Sequence, residues 1–178
     1  MNKDHLPQPP PKPSPARVDP REFRRVVGRF ATGVAIVSTV ADGVDHAMTI
    51  NAFTSVSLDP LLVLFCAEKI ARLHDAVLKS GGWAVSVLPE EAEDLSQWFA
   101  TRGRPLDDRL GGHPFERGAH TGAAIFDESV ASLECRTHAV HDGGDHSIVV
   151  GEVLAVQTPA PKNRRPLLYY EGHYRRLA

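Results

Sequence analysis

Between residues 46 and 57 the chain sets Thr49, Asn51, Thr54, Ser55 and Ser57 among the apolar Met48, Ile50, Phe53 and Val56. Small hydroxyls and an amide along a half-buried segment are poor core material. They suit a pocket for a polar, planar ligand, because pockets are mostly apolar with a few convergent polar groups. A little further on, Lys69 and Arg72 fall at the opening of a predicted helix. A helix N-terminus carries partial positive charge and disfavours cations by roughly a few tenths of a kcal/mol. Two readings stay open there: both side chains point to solvent, or backbone amides, dipole and two cations converge on a phosphate. Trp98 and Phe99, near the end of another predicted helix, are either core packing or the wall of a ring-binding site.

Other chemistries find less support. Nine histidines raise the question of a metal, and His138, His141 and His146 fall close enough in a predicted hairpin to be considered. No Cys-x-x-Cys or His-Glu-x-x-His spacing accompanies them, so no metal site is expected. No Gly-x-Ser-x-Gly elbow is present, which argues against a serine hydrolase. The glycines do not spell a Rossmann fingerprint, so a nicotinamide cofactor would have to bind another way. Cys66 and Cys135 each sit in a predicted strand and read as reduced, buried thiols.

The elements that position these residues follow from periodicity and turn chemistry. Residues 1–18 hold six of the 14 prolines and read as an extended, solvated tail. Asp19 and Pro20 start a helix, with Glu22 where a capping box wants it. Its apolar stripe is Phe23, Val26, Val27 and Phe30, and Arg21, Arg24, Arg25 and Arg29 read as a solvated face. Residues 32–40 and 46–57 form a hairpin through Ala41-Asp42-Gly43. A sharp turn at Leu58-Asp59-Pro60 leads to residues 61–66, a continuous apolar run expected to be buried on both faces. Helix, strand and helix follow over 68–81, 83–88 and 90–100, and 101–121 reads as a long loop, a candidate lid. Residues 130–141 and 147–157 pair through Asp142-Gly143-Gly144-Asp145. With Gly143-Gly144 as the turn, His141 would oppose His146 on one face. Two short strands flank Glu171-Gly172. Six or so antiparallel strands with short helices between them argue for a closed or partly closed barrel.

The segment HAMTINAFTSVSLDPLLVLFC, with FATGVAIVST upstream and HDGGDH and YYEGHY downstream, resembles the short-chain flavin reductase family. Members are the reductase partners of two-component flavin monooxygenases. The resemblance covers residues 19–176 and implies a mainly β fold, a split β-barrel (Greek-key, antiparallel) with a few short peripheral helices, after a tail at 1–18. It implies an NAD(P)H:flavin oxidoreductase, a cytoplasmic homodimer whose cofactors are FMN or FAD and whose co-substrate is NADH or NADPH. Reduced flavin would diffuse to the partner monooxygenase.

Carried over by position, the resemblance implies flavin contacts from His46, Ala47, Met48, Thr49, Asn51 and Ala52. Ser55 and Ser57 would reach the ribityl chain or phosphate. Cys66, Ala67 and Glu68 would line the next strand's end, with Lys69, Arg72 and Leu73 at the phosphate and Trp98 and Phe99 flanking the ring. The nicotinamide side would be His146, Tyr169, Tyr170, Glu171 and Gly172. Ala52, Leu61, Ala71 and Leu73 depart from the family pattern, the last two where members often carry phosphate-binding hydroxyls, so FMN and FAD both stay open. The alternative is a flavin-binding split-barrel protein without reductase activity, a flavin store or structural subunit.

Bulk properties narrow the partners. The 178 residues suit one domain and carry a net charge of −2, which gives no general attraction to nucleic acid or an anionic membrane. No apolar run approaches the roughly 20 residues that span a bilayer, and the N-terminus has no secretory h-region.

Overall fold

Asp19 caps the first helix by accepting from the Arg21 amide (2.8 Å), and Pro20 takes the first helical position. Glu22 does not close a capping box. Its carboxylate takes two hydrogen bonds from Arg25 (2.6 and 2.9 Å), a charged donor one turn on. The structure is a computed structural model describing residues 18–106, 110–159 and 164–177. The predicted tail, Val18 excepted, lies outside the described residues.

In chain order, α1 (Pro20–Val27) leads to β1 (Thr32–Gly33), β2 (Ala35–Ala41), β3 (Val44–Ile50), β4 (Phe53–Leu58) and β5 (Leu61–Glu68). Then come α2 (Arg72–Ser80), β6 (Gly82–Val87), α3 (Glu93–Ala100), β7 (Phe115–Arg117) and β8 (Ala124–Phe126). The long hairpin β9 (Ala131–Gly143) and β10 (His146–Gln157) follows, then β11 (Leu168–Tyr170) and β12 (His173–Arg175). The protein is mainly β, and every strand pairing is antiparallel.

Seven strands form one sheet in the order β3-β2-β6-β9-β10-β5-β4. Its two edge strands, β3 and β4, are consecutive in the chain and separated only by Asn51 and Ala52. Three residue steps span at most roughly 10–11 Å, so the sheet must curl until its edges meet at that corner. No ladder joins β3 to β4 among the described residues, which leaves the barrel split. The segment expected to be one strand over 46–57 is therefore two strands on opposite edges.

The curl defines two cores. Inside it, Val37, Phe65, Val77, Trp83, Val85, Cys135 and Val149 are buried together, with Trp83 edge-on to Phe65 at 4.9 Å. Outside it, Val34, Ile36 and Ala47 pack against Leu95, Phe99 and Phe126. β2 sends alternate side chains to both cores and is the strand buried on both faces. β5 was expected in that role but alternates. Val63, Phe65 and Ala67 enter the inner core, while Leu62, Leu64 and Cys66 stay half-exposed on the other face.

Four more expectations change. The helix expected over 68–81 starts only at Arg72, because Glu68 is still the last residue of β5, paired with His146. Helix α3 starts at Glu93, because Glu90 is held in the preceding turn by Arg165, through its amide (2.9 Å) and its carboxylate (2.6 Å). The expected loop over 101–121 contains β7, paired with β8. The β9–β10 turn is Gly144-Asp145, with Gly144 at φ 79°, so His146 opposes Gly143 and His141 opposes Ile148. A glycine with positive φ at the first central position suits a II′ turn. The slip of two residues keeps both histidines on one face but no longer opposite each other.

Candidate active site

A cavity of about 520 Å³ opens between β3, the β5–α2 junction and the strap that follows α3. Its floor is His46 to Thr49 of β3, whose alternation sends Ala47 into the outer core and leaves its neighbours half-exposed. The Thr49 hydroxyl donates to the Ser96 carbonyl (2.7 Å), and the Ser96 hydroxyl meets the Tyr174 phenol (2.8 Å), fixing α3 over the floor. Phe99 closes one side, buried against Phe126 with ring centroids 5.0 Å apart.

The second wall is the turn from Glu68 into α2. The helix begins after Ala71, which has no side-chain acceptor, and no side chain caps it. Helix N-termini leave amide donors without intrahelical partners, and the usual partners are side chains, water or an anionic ligand. Arg72 is the first helical residue and lines the cavity beside that end. Its guanidinium donates to the Arg104 carbonyl (2.6 Å).

The strap over residues 101–106 supplies two cations that sequence reasoning missed. Arg104 is 8% exposed, donates to the Ala47 carbonyl, and lies 4.6 Å above the Phe99 ring. Arg102 grips both oxygens of Glu68 (2.7 and 2.8 Å). The only signal in the sequence was two arginines in a loop beside a candidate ring-binding helix. Among the described residues the cavity thus gathers three guanidinium groups and one carboxylate. Burial first, then the Arg72 charge, pushes the His46 imidazole below its ordinary pKa, with Arg104 adding to the effect and Asp45 opposing it. His46 is neutral near pH 7, and its Nδ1 is buried with no hydrogen-bond partner among the described residues.

Of the residues expected at a flavin, His46, Ala47, Met48, Thr49, Glu68, Arg72, Leu73 and Phe99 line this cavity. The others do not. Asn51 and Ala52 form the exposed corner, where the Ala52 carbonyl accepts from the Cys66 amide (3.1 Å). Ser55 is exposed on β4, and the Ser57 hydroxyl accepts from the Asp59 amide (3.2 Å) across the turn. Ala67 is fully buried in the inner core, and Cys66 is half-buried on the other face with its thiol pushed up by burial. Trp98 lies against His113, ring centroids 6.3 Å apart. Lys69 binds Asp142 at the β9–β10 tip and holds that carboxyl below the usual range.

The residues expected at nicotinamide fall into two groups. His146 is the register partner of Glu68, so it stands at the cavity rim, with Asp145 Oδ1 on its Nδ1 (2.8 Å). Tyr169 packs edge-on to Tyr174 (5.6 Å) beyond Ser96, and Tyr170 continues the same strand. Glu171 and Gly172 form a left-handed turn tied to α1. The Glu171 amide donates to the Gly28 carbonyl (2.8 Å), and its carboxylate faces Arg29 (3.4 Å). None of these five is among the residues that line the cavity. Among the described residues no group of three or more His, Cys, Asp or Glu side chains could hold a metal ion.

With that geometry in view, similarity to known proteins is specific. The profile of the flavin reductase like domain matches residues 27–178. The reductase subunit HsaB of a flavin-dependent monooxygenase from Mycobacterium tuberculosis is 39% identical over 89% of this chain and 83% of its own. An NADH-dependent FAD reductase from Streptomyces globisporus is 41% identical over 90% of this chain and 89% of its own. The NADH-dependent FMN reductase AsuE2 of Streptomyces nodosus subsp. asukaensis is 40% identical over 88% and 84%. The crystal structure of BorF, the flavin reductase component of a bacterial two-component tryptophan halogenase, superposes with a TM-score of 0.84 at 41% identity. It covers 89% of this chain and 98% of that one.

Proposed function

The chain belongs to the flavin reductase-like family, and from that premise we propose that it is an NAD(P)H:flavin oxidoreductase supplying reduced FMN or FAD to a separate flavin-dependent monooxygenase. The observation that carries the reading is the uncapped start of α2, with Arg72 beside it, opening on a cavity floored by β3. Those residues fit a phosphorylated, planar cofactor. Bound flavin would supply the redox chemistry, taking hydride at N5 from nicotinamide C4.

The chain's own residues bind, orient and exclude water. The first turn of α2 and Arg72 receive the phosphate, which completes the cap that Ala71 does not provide. The backbone of residues 46–49 meets the ring edge, and Phe99 walls it. His46, kept neutral by burial and its arginine neighbours, adds no positive charge beside the ring. His146 at the rim orients the nicotinamide by donating a hydrogen bond, and holding two reactants in register is the main catalytic service the protein can offer. The segment 169–172 acts on that side through α1. We assign the domain to residues 19–178.

The exposed apolar stripe of α1 supports a homodimer. Both cysteines are free, which supports a cytoplasmic location, and no helix among the described residues is long and apolar enough to cross a membrane. Aerobic NADH and NADPH oxidation, followed with and without added FMN or FAD, tests the function. Flavin-dependent oxidation is the expected result, and none with either nucleotide would overturn it.

A further inference from the structure

We infer that the site is built for FAD, with Arg102 as the residue that selects the dinucleotide over FMN. The inference rests on the flavin reading of the cavity and names which flavin enters it. Relatives at nearly equal identity are named for FAD and for FMN, so family membership leaves the choice to the local residues.

A single turn of chain carries the argument. It runs from Glu68 to Arg72 and is closed by the Ala71 amide on the Glu68 carbonyl (2.9 Å). One guanidinium stands at each end. Arg72 opens α2, and Arg102 reaches in from the strap to the Glu68 carboxylate (2.7 and 2.8 Å). The strap is held to the same turn by the Arg72 bond to the Arg104 carbonyl and to the floor by Arg104 on Ala47, so Arg102 is delivered rather than free-swinging. FMN has one phosphate and needs one cation with the α2 amides. A second guanidinium one turn away matches a second, linked phosphate. The Arg102–Glu68 pair is solvent-exposed on the arginine side, and such pairs are weak, so a diphosphate displaces the carboxylate readily.

A second observation points the same way. Ile70 and Leu106 line the cavity beside these cations yet are 75% and 39% exposed. Two apolar side chains left wet at the rim, one on the turn and one on the strap, make a seat for a flat base. The adenine of FAD would cover them, and FMN has nothing that reaches past its single phosphate.

Equilibrium titration of the full chain with FAD, FMN and riboflavin, for wild type, Arg102→Gln, Arg102→Lys and Ile70→Ser, tests this. Wild type should bind FAD about tenfold or more tightly than FMN. Arg102→Gln should weaken FAD about tenfold and FMN less than about twofold, with Arg102→Lys recovering part of the loss. Ile70→Ser should weaken FAD alone. The FAD preference should also shrink as salt rises, because the extra contact is ionic. Equal affinity of wild type for FAD and FMN would overturn the inference, as would equal loss of both in Arg102→Gln. Binding of no flavin at all would instead overturn the flavin reading on which it stands.

Discussion

Arg72 stands where a helix dipole is least favourable to a cation, and its guanidinium donates to a backbone carbonyl. A phosphate would settle both. Arg72→Ala should therefore weaken FMN and FAD binding by about 1.5–3 kcal/mol, the range for hydrogen bonds to charged groups. Riboflavin, which has no phosphate, should be bound equally by variant and wild type in fluorescence titration. If His146 serves the nicotinamide, as proposed, it should show the opposite separation. His146→Ala should raise the Michaelis constant for the nucleotide or slow flavin reduction by roughly two- to tenfold, the value of one lost hydrogen bond, while flavin affinity holds. Stopped-flow reduction against nucleotide concentration checks it.

His46 predicts a pH dependence. Its folded pKa is depressed, so between the folded value and the ordinary value near 6.5 the unfolded chain binds more protons. Stability is then full above about pH 6.5 and falls as pH drops below it. Melting temperatures from pH 8 down to about pH 5 should decline more steeply for wild type than for His46→Gln.

Among the elements, the β9–β10 hairpin shows how one glycine sets a packing distance. The ladder shifts register between Val150 and Gly151, and a Cβ on Gly151 would lie 2.2 Å from Cζ2 of Trp83. That ring is fully buried against Phe65. Gly151→Ala should cost about 1–3 kcal/mol as an overpacked core. Gly33→Ala, where nothing lies within 4 Å of the added atom, should fall within about 0.5 kcal/mol of wild type in urea denaturation.

The same elements mark what sequence could and could not supply. The hairpins, the strand β2 and the start of α1 follow from local chemistry: β-branched runs, glycine and proline turns, and a proline after a capping aspartate. Of the eight expected flavin residues that reached one cavity, seven lie on β3 and the β5–α2 junction, which the chain brings together at the sheet's curled edge, and Phe99 comes from α3. Lys69, Ser55 and Ser57 did not, since each had a nearer partner or an exposed strand position that spacing does not reveal. The strap arginines were illegible for a different reason. Arg102 and Arg104 owe their roles to Glu68 and Ala47, 34 and 57 residues away, and a loop has no period by which to forecast such contacts.

At the scale of the whole molecule, α1 is the anomaly. No residue of α1 is buried, and Phe23, Val26 and Val27, with Phe30 just beyond, are 58, 55, 50 and 76% exposed. Sequence periodicity predicted the stripe, but only the fold reveals that the described residues leave it uncovered. A second copy is the partner this reading expects. Wild type should sediment as a dimer at micromolar concentration, and Phe23→Ser with Phe30→Ser should shift it to monomer without changing the monomer's circular dichroism. A wild type that is already monomeric would refute the dimer.

The hydrogen-bonded line from Thr49 through Ser96 to Tyr174 has a practical consequence. It couples the cavity floor to the last strand, so the C-terminal end is a poor handle. Immobilising the protein there, or fusing a rigid partner directly after β12, would load α3 and through it the floor. The exposed turn at Asp127-Glu128, outside that line, is the better anchoring point for a surface-bound reductase.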